Sequence, residues 1–155
     1  MRTRFPFVDS AKQTGVGLIE VLIAVLVLSV GFLGVAALEA MSLSTNNSSY
    51  ARSMATINAY SVMDAMRADL ANAKAGSYNT TVKGGSCQTG GATLIAQQIN
   101  VWCGSLASTL GANDTTQGTV NCDGNGNCTI TVVFNDSRAG TGGGSTQTFV
   151  TQGVL

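Results

Sequence analysis

The sequence predicts an α+β protein in which a long N-terminal helix packs on a small antiparallel-sheet head. One reason is that no proline interrupts the chain from Val16 to Ala75, where apolar residues first run continuously and then repeat at helical spacing. A second reason is that glycine-rich loops and short strand-like segments fill the second half. The length of 155 residues fits one compact domain plus an apolar segment.

The first element is an apolar helix over residues 16–41, preceded by a basic leader over residues 1–15. Val21 to Leu38 carries no charge, and a helix needs about 20 apolar residues to span a bilayer. Positive charge before the segment predicts a cytoplasmic N-terminus and a head on the opposite side of the membrane. Glu20 is the one charge inside the apolar run, and a carboxylate at the bilayer centre costs roughly 2.5–3.5 kcal/mol. Glu20 therefore requires a partner.

Two other interpretations of this segment stay open from composition alone. A secretory signal peptide has an apolar core of about 7–15 residues and a small-residue cleavage site. The present run is longer, and Ala36-Ala37 matches such a site only weakly. A single-pass anchor with Glu20 at the cytoplasmic interface is the second alternative.

The second element is the amphipathic half of the same helix, over residues 42–75. Its apolar positions repeat at intervals of four and three and form one predicted core stripe: Ala55, Ala59, Met63, Met66, Leu70 and Ala73. Gly76 follows as a C-terminal stop signal. The segment from Ser44 to Tyr50 is the weak point, because short polar side chains compete for helical backbone bonds.

The third element is an α+β head over residues 76–155. Apolar residues at helical spacing predict a second helix over 92–110, with Trp102 and Cys103 on or near its buried face. Alternation of Thr and Val with Ile, Val and Phe after Cys128 predicts a half-buried strand. We expect three strands in all, over residues 119–122, 128–135 and 146–151, separated by loops over 76–91, 111–118 and 136–144.

All four cysteines lie in the head, and an even number favours two disulfides in an oxidising compartment over a zinc site. The segment from Asp123 to Asn127 alternates Asp, Gly and Asn, but Cys128 and Phe134 stand where a calcium loop requires Gly and Glu. We therefore predict a hairpin tip, no bound metal and no cofactor. The expected pairs are Cys87–Cys103 and Cys122–Cys128, although four cysteines permit three pairings.

The composition also argues against several functions. The chain contains no histidine, so the usual general base and the Ser-His and Cys-His arrangements are missing, and we expect no enzyme activity. From Val16 onward there are five basic and seven acidic residues. A mildly acidic chain is not the usual electrostatic partner of nucleic acid, so no nucleic-acid binding is expected.

The segment from Gly15 to the apolar helix resembles the signal of type IV prepilins and of type II secretion pseudopilins. Residues 17–34 are most similar to the PilV-type minor pilins of the type IVa system, and the similarity covers about 25 of 155 residues. The resemblance implies cleavage between Gly15 and Val16, N-methylation of Val16, and a role of Glu20 in subunit assembly. The family most often has phenylalanine where this chain has Val16.

The resemblance further implies a structural minor pilin that is processed by a prepilin peptidase and enters or primes a type IV pilus. Its partners would be other minor and major pilins and the assembly platform of the inner membrane. The subunit would be held in that membrane before assembly, with a periplasmic head, and would then reach the cell surface in the pilus. A type II secretion pseudopilin is the nearest alternative, and an adhesin or DNA-binding module displayed on a filament is the alternative from another class.

Overall fold

The computed structural model describes residues 15–155, so the predicted leader lies outside the described residues except for Gly15. The chain divides into two compact units, one that ends at Glu39 and one that comprises Ala40–Leu155. The second unit contains the sheet and the core, and it is called the head below. A long apolar N-terminal helix packed on a small antiparallel sheet confirms the predicted α+β class.

Three α-helices and four strands make up the described structure. The helices are α1 (Leu18–Ala68), α2 (Leu70–Lys74) and α3 (Leu94–Leu110), and the strands are β1 (Thr80–Lys83), β2 (Gln117–Cys122), β3 (Asn127–Phe134) and β4 (Gln147–Val154). Short 3-10 turns lie at Gly84–Ser86 and Ser137–Gly142. The strands follow each other in the order β1-β2-β3-β4, and every neighbouring pair is antiparallel.

The alternating pattern of β3 is confirmed, since Ile130, Val132 and Phe134 are buried against the helices. The prediction of three strands is wrong, because β1 lies inside the segment 76–91 that was expected to be a loop. Four residues between polar and glycine-rich segments are too few to show a period of two. Long-range pairing defines this strand, with Val82 opposite Gly118 of β2.

The core of the head forms between the inner face of the sheet, α3 and the second half of α1. Ala55, Ala59, Met63 and Met66 are fully or almost fully buried, as the predicted stripe requires. Small residues at two of these positions allow the helix to approach the other elements closely. The side chains that fill the space between them are Val62, Tyr78, Trp102, Leu106, Val120, Ile130, Val132 and Phe134.

The prediction of one helix that continues to Ala75 is wrong. Asp69 leaves the helical conformation at φ −134° and ψ 56°, and α2 starts at the next residue. The side chain of Asp69 accepts hydrogen bonds from the Asn72 amide at 2.9 Å and from the Tyr78 hydroxyl at 3.1 Å. Beyond the break Ala73 is buried, but Leu70 is 40% exposed, so the prediction that Leu70 belongs to the core stripe is wrong.

The segment from Ser44 to Tyr50 is helical throughout, although its composition made it the weak point of the prediction. Two of its short polar side chains make contacts far along the sequence. The Ser44 hydroxyl donates to the Arg138 carbonyl at 2.9 Å, and the buried Ser48 hydroxyl donates to the Asp136 carboxylate at 2.5 Å. These bonds attach the loop after β3 to the helix, so residues that weaken an isolated helix contribute to tertiary structure here.

Helix α3 packs on both the sheet and α1. Trp102 and Cys103 are buried as predicted, and Leu106 is buried with them. The indole N–H of Trp102 donates to the Asn58 carbonyl of α1 at 3.0 Å. A Cβ added to Gly118 of β2 would lie 2.5 Å from atoms of both Trp102 and Leu106. Only glycine therefore lets α3 approach β2 this closely.

Candidate functional site

The first candidate site is the junction at which α1 begins. Gly15, Val16 and Gly17 precede the helix, and Leu18 is its first residue. The carbonyl of Gly17 accepts from the N–H of Glu20 at 3.0 Å and from that of Val21 at 3.3 Å. Glu20 is thus the third residue of the helix and lies in its first turn.

This position gives the Glu20 carboxylate a local electrostatic role. Helix N-termini carry a partial positive charge, and a carboxylate in the first turn is stabilised there by about 0.3–1 kcal/mol. That gain is smaller than the roughly 2.5–3.5 kcal/mol that a charge costs at the bilayer centre. The one ion pair among the described residues joins Arg67 to Asp64, so Glu20 keeps its need for a partner.

The first turn is a feature that sequence reasoning missed. The pattern placed Glu20 near the start of an apolar run but did not locate the first helical residue. Gly17 is the available signal, because glycine is acceptable at the N-cap and its carbonyl receives the first helical bonds. A glycine three residues before a carboxylate would have pointed to this arrangement.

The apolar part of α1 presents its side chains outward on all sides. Every residue from Gly15 to Glu39 is exposed, and the most apolar 18-residue window has a mean hydropathy of 2.8 with none of it buried. One helix among the described residues is thus long and apolar enough to cross a membrane. Its polar Ser29 hydroxyl donates to the Val25 carbonyl at 2.7 Å, which satisfies it inside the helix.

Two glycines in this segment have room around them. A Cβ built on Gly31 or Gly34 meets no atom within 4 Å beyond the helix's own neighbouring backbone. The sequence suggests a packing role for both glycines, because small residues let two helices approach closely in a bilayer. Any helix that packs there is a second chain or another molecule, so this role stays a prediction.

The cysteines of the head form two disulfides, Cys87–Cys103 and Cys122–Cys128, which are the two pairs expected from the sequence. The first ties the turn after β1 to the buried face of α3. The second joins directly opposed residues of β2 and β3 next to their hairpin turn. No cysteine is free in the described part of the chain.

The loop between Cys122 and Cys128 is a hairpin tip held by its own carboxylate. One oxygen of Asp123 accepts from the N–H groups of Asn125 at 2.9 Å and of Asn127 at 2.8 Å, and the other accepts from the Asn127 amide at 2.9 Å. These bonds, that from the Asn127 side chain first, lower the pKa of Asp123. Over residues 15–155, no group of three or more acidic or cysteine side chains could hold a metal.

Comparison of the chain with protein-family models, curated proteins and solved structures found no match. The architecture of a long apolar helix packed on a small antiparallel sheet is consistent with a pilin-like protein. Gly15, Val16 and Glu20 lie together at the start of the apolar helix, and the four cysteines lie in the head. The candidate functions below depend on these two groups of residues.

Proposed function

We propose that the protein is a minor pilin, cut between Gly15 and Val16 and assembled into a type IV pilus through its apolar helix. The observation that carries the proposal is an apolar helical segment, exposed on all sides, with a single carboxylate in its first turn. A segment of this kind needs a lipid environment or the helices of other subunits to cover it. A simple membrane anchor would leave the carboxylate at the cytoplasmic interface without a partner from another subunit.

Cleavage would supply the partner that Glu20 requires. It creates an α-amino group on Val16, which precedes the helix and is 71% exposed. In a growing filament, the amino group of an incoming subunit neutralises the Glu20 carboxylate of its neighbour. An apolar surrounding strengthens this attraction, and loss of one partner of a buried ion pair costs about 3–5 kcal/mol. The pair would thus favour the correct axial position of each new subunit.

The proposal also defines partners and location. A prepilin peptidase cuts and methylates the chain in the inner membrane, where the assembly platform and other minor pilins receive it. The head lies in the periplasm before assembly, and its two disulfides are compatible with an oxidising compartment. The subunit then enters the pilus and reaches the cell surface.

The first prediction concerns processing. Mass analysis of the protein purified from its native envelope should find a chain that begins at N-methylated Val16. Replacement Gly15→Leu should leave a chain that begins at Met1, because the peptidase requires a small residue before the cut. A Cβ at Gly15 meets no atom within 4 Å, so the replacement does not disturb the described structure. A wild-type chain that begins at Met1 or near Ala37 would contradict the proposal.

The second prediction tests whether incorporation into pili requires the carboxylate of Glu20 specifically. We expect Glu20→Ala to give stable, membrane-inserted and processed protein that is lost from purified pili. Glu39→Ala is the matched control, since Glu39 is an exposed carboxylate near the other end of the apolar segment. Quantitative immunoblots of sheared pili and of membranes measure both. Equal incorporation of the two variants into pili would show that Glu20 has no specific role in assembly.

A strain that lacks the gene distinguishes a type IV pilin from the type II secretion alternative. Deletion of the gene should lower the number of surface pili while secretion of folded proteins continues. The reverse result, normal pili with secreted proteins retained in the periplasm, would make the chain a pseudopilin.

A further inference from the structure

The head contains a cavity of about 390 Å³ that the proposed assembly mechanism does not use. Its walls come from three places: residues 47–51 of α1, the C-terminal end of α3 and the loop after β3. The volume lies within the range of about 300–1,000 Å³ that is typical of small-molecule sites. The lining is mostly polar, with amide, hydroxyl and carboxylate groups directed from separate elements.

A buried carboxylate lies in the wall of this cavity. Asp136 is 3% exposed, and its Oδ2 accepts the hydrogen bond from Ser48 at 2.5 Å. Within residues 15–140 and 143–155, no group donates to its Oδ1, and this oxygen is not among the fully buried unpartnered side-chain atoms. Asp136 therefore offers one acceptor to a donor that enters the cavity.

Two asparagines supply groups of the opposite kind. The Asn113 Oδ1 already accepts from the N–H of Thr115 at 3.0 Å, and the Asn135 Oδ1 accepts from the N–H of Ser137 at 2.9 Å. Each oxygen is held by the backbone of its own turn, so each side-chain NH₂ group is left to donate to a ligand. The cavity thus combines a fixed acceptor with two oriented donors.

The charges of the lining select against ions. Among the described residues of the wall, Asp136 and Arg138 are the only charged ones, and their charges cancel. A cation would meet one carboxylate and a guanidinium group, whereas calcium takes 6–8 oxygen ligands. An anion would meet the buried carboxylate. The ligand that suits a neutral wall of alternating donors and acceptors is itself neutral and carries several hydroxyl groups.

An aromatic ring at the same cavity narrows the ligand class. Tyr50 lines it and is 56% exposed, so its ring presents an apolar surface beside the polar groups. A pyranose has the matching combination, because its hydroxyl groups donate and accept in its plane while its C–H groups form an apolar face that packs on aromatic rings.

We propose that this cavity binds a pyranose unit of a neutral saccharide, with Asp136 as hydrogen-bond acceptor and Tyr50 as stacking surface. Hydroxyl groups of the sugar replace the missing partner of Asp136 and accept from the amides of Asn113 and Asn135. The proposal concerns the head alone and does not depend on cleavage at Gly15 or on pilus assembly.

Saturation-transfer NMR on the full chain tests the proposal, with the methyl glycosides of glucose, galactose, mannose, N-acetylglucosamine and N-acetylgalactosamine as probes. The protein is kept in a polyoxyethylene detergent, because the head group of a maltoside is itself a sugar. We expect millimolar binding of at least one glycoside. We also expect Tyr50→Ala to weaken that binding by about tenfold, which corresponds to about 1.4 kcal/mol.

Tyr60→Ala is the matched control, since Tyr60 is a 51% exposed tyrosine of the same helix outside the cavity wall. Asp136→Asn should also weaken glycoside binding. If loss of the hydrogen bond to Ser48 prevents this variant from folding, the Tyr50 and Tyr60 variants alone decide whether the cavity binds the glycoside. Absence of binding by all five glycosides would overturn the proposal. Equal loss of glycoside binding in the two tyrosine variants would also overturn it. So would a perturbation of the Tyr50 signals by Ca²⁺ or inorganic phosphate when no glycoside perturbs them.

Discussion

The apolar segment before Glu39 and the head are built from similar side chains that have opposite surroundings. Leu28 in the first is 57% exposed, whereas Leu106 in the second is completely buried. The head covers Leu106 and its other core residues with its own sheet and helices, whereas no described element covers the apolar segment. Apolar composition therefore predicts that a residue will be covered, but it does not tell which molecule covers it.

The largest effect should come from a leucine truncation in each region. Leu106→Ala is expected to lower the free energy of unfolding of the head by about 2–5 kcal/mol, because it leaves a cavity between α3 and β2. Leu28→Ala should leave it within about 0.5 kcal/mol of wild type. Urea unfolding of the full chain in detergent, followed by Trp102 fluorescence, measures both. A loss of similar size for Leu28→Ala would show that the apolar segment supports the head.

The second effect concerns the two disulfides, which tie elements of the head and have no counterpart in the apolar segment. Chain entropy predicts a loss of about 3 kcal/mol for Cys87→Ala with Cys103→Ala, and of about 2 kcal/mol for Cys122→Ala with Cys128→Ala, because the first pair closes the longer loop. The same unfolding assay compares the two double variants. If removal of the Cys122–Cys128 pair costs more, packing of these sulfurs in the core outweighs loop closure.

The third effect is a pH dependence of the stability of the head. The pKa of Tyr78 is raised from 10.0 to about 12, first by burial. The hydrogen bond that Tyr78 donates to Asp69 and the negative charge of Asp69 raise it further. The folded state favours the neutral phenol, so this stabilisation is complete below pH 10 and is lost as the pH rises through about 12. Tyr78→Phe should remove part of the decline in stability over that interval.

Tyr60→Phe is the control for this measurement, because the Tyr60 side chain is exposed on α1. The free energy of unfolding, measured at several alkaline pH values, should decline equally for wild type and the Tyr60 variant. A Tyr78 variant whose stability declines as steeply as that of wild type would show that the titration of Tyr78 does not cause the decline.

The sequence predicted the elements whose pattern is long enough to be periodic. The apolar run, the stripe from Ala55 to Met66 and the alternation in β3 each repeat several times, and all three are present in the structure. Strand β1 has only four residues and is defined by its pairing with residues distant in sequence. No local sequence pattern therefore predicts it. The helix break was missed for the same reason, since the bond from Tyr78 to Asp69 joins residues that no helical period relates.

The same distinction applies to the candidate sites. The sequence by itself determined that an apolar helix carries one carboxylate near its start and that four cysteines lie in a glycine-rich head, because these are properties of residue type and order. Only the tertiary structure decided that Glu20 lies in the first helical turn and that Asp136, Tyr50 and Asn113 line one cavity. These three residues come from three separate segments, and only the packing of the head brings distant segments together.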